Sequence, residues 1–246
     1  MLFEEYKPIM DRYVAFLRQH CEIFENPLAL AMSAFDAGKN DKEMMRWANA
    51  MTSGEMCHNS DADCIAIEEL SVSYKGYKTM IGEMAINLEV LLQESGSFGH
   101  VIDIGCGQGI VDTFMLKEGL AKGVVGIDPS LKALGLAKEL AIKVGVPSET
   151  KYGWIQEIPA DDDSADTCLA LGVLEWSKEW RKGLAEMARV VRPGGLLYAA
   201  ASGQQFRTII DSSEAEKILI KHGIKPRISL IQTNLFPKIF IFGHKN

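Results

Sequence analysis

Two carboxylates and three glycines stand close together in the middle of this sequence: Asp103, Gly105, Gly107, Gly109 and Asp128. They lie in Val101-Ile-Asp-Ile-Gly-Cys-Gly-Gln-Gly-Ile110 and Val124-Val-Gly-Ile-Asp128, which read as a buried strand, a glycine-rich turn, a helix and a second strand ending in an acid. Glycines at such a turn let the backbone approach a ligand closely. The helix that follows offers N–H groups with no partner inside the helix, which suits an anionic group. An acid at the tip of the second strand can accept from both hydroxyls of a ribose, as the ribose-binding acid of the dinucleotide fold does. The ligand implied is one that carries a nucleoside. A dinucleotide is disfavoured, because G-x-G-x-x-G needs its third glycine at position 110, where this chain has Ile110. Asp128-Pro129-Ser130 is also a good helix start, so a capping role for Asp128 stays open beside the ribose role.

These residues must be held by a sheet. From His100 onward the pattern alternates between strand and helix, which argues for parallel strands covered on both faces. Strands are expected at 100–104, 123–128, 149–153, 166–171, 195–201, 227–233 and 238–243, and helices at about 109–118, 130–144, 178–190 and 212–222. Arg192-Pro-Gly-Gly195 reads as a sharp turn. Only a short loop, Asn234 to Pro237, separates the last two strands, so they pair antiparallel. The fold expected is α/β: a doubly wound, seven-stranded, mostly parallel sheet with a C-terminal antiparallel hairpin. Residues 1–95 read as a helical N-terminal cap covering the substrate, and 96–246 as the ligand-binding domain. In the cap, Phe3, Tyr6, Ile9, Met10, Tyr13, Val14, Phe16 and Leu17 recur at helical spacing. Further helices are expected from Pro27, from Asn40 and from Ile65 to Glu94, with Ser95-Gly-Ser-Phe-Gly99 as the boundary.

Several segments, in order, resemble the class I S-adenosylmethionine (SAM)-dependent methyltransferases, in their small-molecule branch. The glycine turn has the D-x-G-C-G-x-G form of that family. Pro159-Ala-Asp-Asp-Asp-Ser-Ala-Asp166 is similar to its P-F-x-D-x-S-F-D segment, and Cys168-Leu-Ala-Leu-Gly-Val-Leu-Glu-Trp176 to its strand ending in V-L-E-H. Leu184-Ala-Glu-Met-Ala-Arg-Val-Val-Arg-Pro-Gly-Gly-Leu-Leu197 resembles its E-x-x-R-V-L-K-P-G-G helix and turn. The resemblance implies SAM as cofactor and S-adenosylhomocysteine as product. It implies a cofactor site of Asp103, Gly105, Cys106, Gly107, Gly109, Asp128, Pro129, Trp154, Ile155, Gln156 and Leu171, with Tyr77 as an N-terminal contact to the cofactor's carboxylate. Asp103 is expected near the cofactor's amino group and the turn's N–H groups near its carboxylate. Many family members carry an acid where this chain has Trp154, so Trp154 either covers the adenine or belongs to the core. Trp176 stands where the branch commonly has His.

SAM's sulfonium makes its methyl electrophilic, so alignment and exclusion of water are the main tasks. A general base is required only where the acceptor holds its proton tightly. The candidates are His58, in the polar stretch Cys57–Cys64, and Glu175, which could equally be a helix-start glutamate facing solvent. The spacing within Cys57–Cys64 matches no metal site. A formal net charge of −7 and dispersed basic residues disfavour nucleic acid. No apolar run is long enough for a membrane span, and the first residues lack a signal-peptide layout. Five cysteines at irregular spacing point to a reducing compartment, with the cytoplasm as the expected location. The function expected is methyl transfer to a small molecule. A protein methyltransferase and a non-catalytic SAM-binding scaffold or regulatory subunit are the alternatives, and the sequence leaves acceptor and oligomeric state open.

Overall fold

The computed structural model describes residues 7–20, 87–88, 91–92, 95–177, 179–202, 213–232 and 237–246. The chain falls into two compact units, Met1–Gly96 and Ser97–Asn246. In the first, α1 (Lys7–His20) buries Ile9, Tyr13, Phe16 and Leu17, the face its three-and-four spacing predicts. Asn87, Leu88, Leu91, Leu92 and Ser95 are helical. The helices expected from Pro27 and Asn40, together with His58 and Tyr77, lie outside the described residues.

The second unit runs β1 (His100–Ile104), α2 (Ile110–Lys117), β2 (Gly123–Asp128), α3 (Leu131–Val144), β3 (Ser148–Tyr152) and β4 (Ala165–Leu171). It continues through α4 (Trp180–Val190), β5 (Val191–Ser202), α5 (Glu214–Lys221), β6 (Ile224–Gln232) and β7 (Pro237–Lys245). The seven strands lie in the order β3-β2-β1-β4-β5-β7-β6. Pairs among β1 to β5 are parallel, and β7 runs antiparallel between β5 and β6. The chain steps outward from β1 to β3, then returns to place β4 on the other side of β1. The order therefore reverses at β1, and the crevice beyond the C-terminal ends of β1 and β4 is where open α/β sheets bind ligands.

Alternation along β1 decides what each face receives. Ile102 and Ile104, with Ile127 of β2, join the core that contains Leu184 and Met187 of α4 and Leu219 of α5. Val101 and Asp103 alternate with them and so face the other side. Asp103 is paired in register with Gly126, a position with no side chain.

Two sequence motifs have structural rather than ligand-facing work. Arg189 of α4 donates to the carbonyls of Ile158 (2.9 Å) and Ala160 (2.8 Å), to Asp162 (2.7 Å) and to Glu186. Glu186 in turn accepts the N–H of Ile158 at 3.0 Å. The E-x-x-R pair thus clamps the segment that follows β3, and the Arg189 guanidinium holds the Glu186 carboxyl below the usual carboxylate range. Farther on, the expected sharp turn at Arg192–Gly195 is a bulge inside a longer β5. Val191 pairs with Ala165 and Leu196 with Thr167, so four residues of β5 are looped out against one of β4. At Gly195 a Cβ would sit 2.8 Å from the Asp166 carbonyl oxygen, which explains the missing side chain.

Replacing Arg189 with Ala would strip Glu186 and two carbonyls of their donor. The expected loss is about 2–3 kcal/mol of unfolding free energy at neutral pH, read from urea denaturation. Glu186 has a lowered folded pKa, so its share is present above its unfolded value and is lost as pH falls. The deficit of Arg189→Ala should therefore shrink below about pH 4; a deficit that stays constant into acid would contradict the clamp.

Candidate functional site

Between β1 and α2 the backbone makes a left-handed excursion at each glycine, with φ of +71° at Gly105, +54° at Gly107 and +65° at Gly109. A side chain at Gly105 would run into Val173, and a Cβ at Gly109 would lie 2.8 Å from the Cβ of Ala137 in α3. The turn is tied to the sheet, since the N–H groups of Gly105 and Cys106 donate to the Ile127 carbonyl at 2.7 and 3.2 Å. Gly109 is the N-cap of α2, and no side chain caps that helix. Its first-turn N–H groups and the positive end of its dipole mark the start of the crevice.

Asp128, 8% exposed at the end of β2, fastens the turn from the other side. Its Oδ2 accepts the N–H of Gly107 at 3.0 Å, and its Oδ1 accepts that of Ser130 at 2.8 Å. The cap of α3 is Ser130, whose Oγ accepts the N–H of Ala133 at 3.1 Å. The capping role that Asp128-Pro-Ser left open to Asp128 thus falls to its neighbour. Pro129 is half-buried between them.

Asp103 does not stand alone. Asp112, in the first turn of α2, is 1% exposed and Asp103 is 4% exposed, and the charge of Asp112 acts on the Asp103 carboxyl. Neither oxygen of Asp112 nor Oδ1 of Asp103 has a hydrogen-bond partner among the described residues. Burial pushes the Asp112 carboxyl up to about 6. Asp103 is raised well above the carboxylate range by burial, by the charge of Asp112 and by that of Asp128. Space for the pair comes from Gly126, where a Cβ would lie 2.6 Å from Asp112 Oδ2 and 2.8 Å from Cys106 Sγ. Sequence reasoning missed Asp112. Its signal was present: it is the one charge among the apolar Ile110, Val111, Phe114, Met115 and Leu116.

The remaining predicted residues line the strand ends. After β3, the Gly153 N–H donates to the Asp128 carbonyl at 3.3 Å, carrying the chain toward the turn. Trp154 is half-buried and meets Tyr152 edge-on at 6.3 Å between ring centroids, so it is not a core tryptophan. Ile155 is the core residue of this segment, packed on Gly183 of α4, while Gln156 is half-buried. Leu171 ends β4, and Gly172 follows with φ +74° and its N–H on the Ala200 carbonyl. Glu175 is buried, 8% exposed, in the short helical turn Leu174–Trp176, next to the core residue Leu174, so it does not face solvent. Among the described residues, no three His, Cys, Asp or Glu side chains gather to hold a metal ion.

Residues 102–199, which contain the turn, both acids and β4, match the family described as methyltransferase domain. This stretch matches a methyltransferase domain, whose cofactor is SAM. Over 101 residues the chain is 34% identical to a ubiquinone biosynthesis O-methyltransferase of Rhizobium etli, covering 41% of this chain and 40% of that protein. Over 127 residues it is 32% identical to a tRNA U34 carboxymethyltransferase of Methylococcus capsulatus, covering 50% of this chain and 36% of that one. The alignable part of the chain thus spans about two fifths of the length of these curated relatives. A solved Thermotoga maritima structure, a SAM-dependent methyltransferase described as a possible histamine N-methyltransferase, shares the fold. Its TM-score is 0.55 at 16% identity, with 77% of this chain and 100% of that one covered.

Within the methyltransferase domain the acid pair sets a pH dependence. Folded pKa values raised above the unfolded value near 3.8 contribute stability in acid and lose it as pH rises through about 6. Asp112→Asn, which cannot ionise, should gain on the wild type by roughly 1–3 kcal/mol between pH 4 and pH 8 in urea denaturation. Parallel pH profiles for the two proteins would contradict the buried pair.

Proposed function

We propose that this chain transfers the methyl group of SAM to a small-molecule acceptor and releases S-adenosylhomocysteine. The observation that carries the proposal is the convergence, at the reversal point of the sheet, of an uncapped helix start, a glycine turn and two buried acids. These fit the cofactor's chemistry. The N–H groups at the start of α2 suit its carboxylate, and Asp103, with an oxygen that meets no donor, suits its ammonium. Asp128 is assigned the ribose hydroxyls while it holds the turn, since each carboxylate oxygen accepts more than one hydrogen bond. Trp154 is assigned the adenine face, with the Ile155 backbone and Gln156 at the ring edge.

When bound, SAM supplies a methyl group already activated by the adjacent sulfonium. The residues of the chain are then left with orientation and exclusion of water. Leu171 and the backbone from Gly172 onward, at the end of β4, border the place where the acceptor must approach. Glu175, buried in the same segment, is the candidate base for an acceptor whose proton is tightly held.

A small acceptor is supported by the net charge of −7, which works against a polyanionic substrate. It also agrees with the O-methyltransferase name carried by the Rhizobium relative. The tRNA reading, drawn from the Methylococcus relative, lacks a matching basic surface in the sequence.

The test supplies labelled SAM with a cell extract separated into small molecules, protein and RNA. Label should pass to the small-molecule fraction with release of S-adenosylhomocysteine. Transfer to protein or RNA alone would reject the acceptor class, and SAM binding without any transfer would favour a scaffold. In the same protein, Asp128→Ala should weaken SAM binding by about 1.5–3 kcal/mol while the fold persists. Unchanged affinity would confine Asp128 to holding the turn.

A further inference from the structure

Asp103 is assigned to the cofactor's ammonium, and Asp112 beside it has no task yet, although a second carboxyl sealed beneath a cation site is costly. Asp112 is 1% exposed, and neither of its oxygens has a hydrogen-bond partner among the described residues. The position is built, not incidental. The register opposite Asp103 carries Gly126, and any side chain there would strike Asp112 Oδ2 and Cys106 Sγ. Two facing carboxyls can hydrogen-bond only if one of them keeps a proton.

We propose that Asp112 is a positioning residue for the cofactor's ammonium: it shares one proton with Asp103 in the free protein, and that proton leaves when the ammonium binds. This rests on the SAM reading of the site. In the step, the O–H bond of the Asp103 carboxylic acid breaks and its proton passes to buffer. The Asp103 carboxylate then accepts from the ammonium, with the electron pair staying on oxygen. Asp112 holds the Asp103 carboxyl through that proton in the free protein; once the proton has left, the charge of Asp112 adds to the attraction for the ammonium. The groups facing the pair among the described residues are Asp128 from β2 and the Cys106 thiol from the turn. Asp128 adds negative charge. No cation among them offsets the pair, and the ammonium is the partner it lacks.

The test is calorimetry in buffers of different ionisation enthalpy, between about pH 5.5 and 7, where an α-amino group is still cationic. SAM and S-adenosylhomocysteine both carry the ammonium, and each should release close to one proton. Their affinities should rise toward about tenfold per pH unit. 5′-Methylthioadenosine has the same nucleoside without the ammonium and should bind with no proton release. Asp112→Asn, which supplies an amide donor to an ionised Asp103, should flatten the pH dependence for SAM. The comparison of ligands on the wild type stands even if that variant fails to fold. SAM binding with no proton release, or equal release with methylthioadenosine, overturns the role of Asp112 and leaves the SAM site intact. Failure of all three ligands to bind overturns the SAM reading itself.

Discussion

The carboxylate of Asp128 joins parts of the chain that would otherwise be separate. One oxygen holds the Gly107 N–H of the glycine turn, and the other holds the N–H of Ser130, which caps α3. Ala137 of that helix packs where a Cβ on Gly109 would be, and Gly109 starts α2. The circuit runs from β2 through the turn and both helices, so the shape of the turn depends on one buried charge. Charge-assisted bonds to backbone N–H groups are strong enough for this, and they hold three left-handed residues in a single path.

Much of the sheet was legible because parallel strands are buried on both faces and read as short apolar runs. Val101–Ile104, Gly123–Asp128 and Ala165–Leu171 carry that signal directly, and their observed bounds differ from the expected ones by at most a residue. The antiparallel pairing of β6 with β7 followed from loop length alone. What failed was local. Arg192-Pro-Gly-Gly195 has the composition of a turn, yet strand pairing resumes beyond it, and tertiary pairing overrode the turn signal.

At the candidate site, residue types singled out the glycine turn and two acids but not the electrostatics. Asp103 and Asp128 were visible because they punctuate a strand–turn–strand pattern. Asp112 was hidden because an acid in the first turn of a helix is usually a solvated response to the helix dipole. Here it points inward, against a glycine whose missing side chain only the strand register explains. Glu175 and Trp154 show the same limit. Exposure at the end of a strand depends on what packs over it, and neither periodicity nor motif spacing encodes that.

Motif matches also mixed two kinds of work. The glycine turn and Asp128 shape the ligand crevice, whereas Glu186 and Arg189 clamp the segment leading from β3 to β4. Both serve the same end, because a cofactor bound without chemical help from the protein must be held by rigid parts. The most direct measurement is calorimetric titration of the protein with SAM, S-adenosylhomocysteine and NAD. SAM and S-adenosylhomocysteine should bind competitively at one site and NAD should not bind. Binding of NAD without either of the other two would contradict the assignment of this crevice.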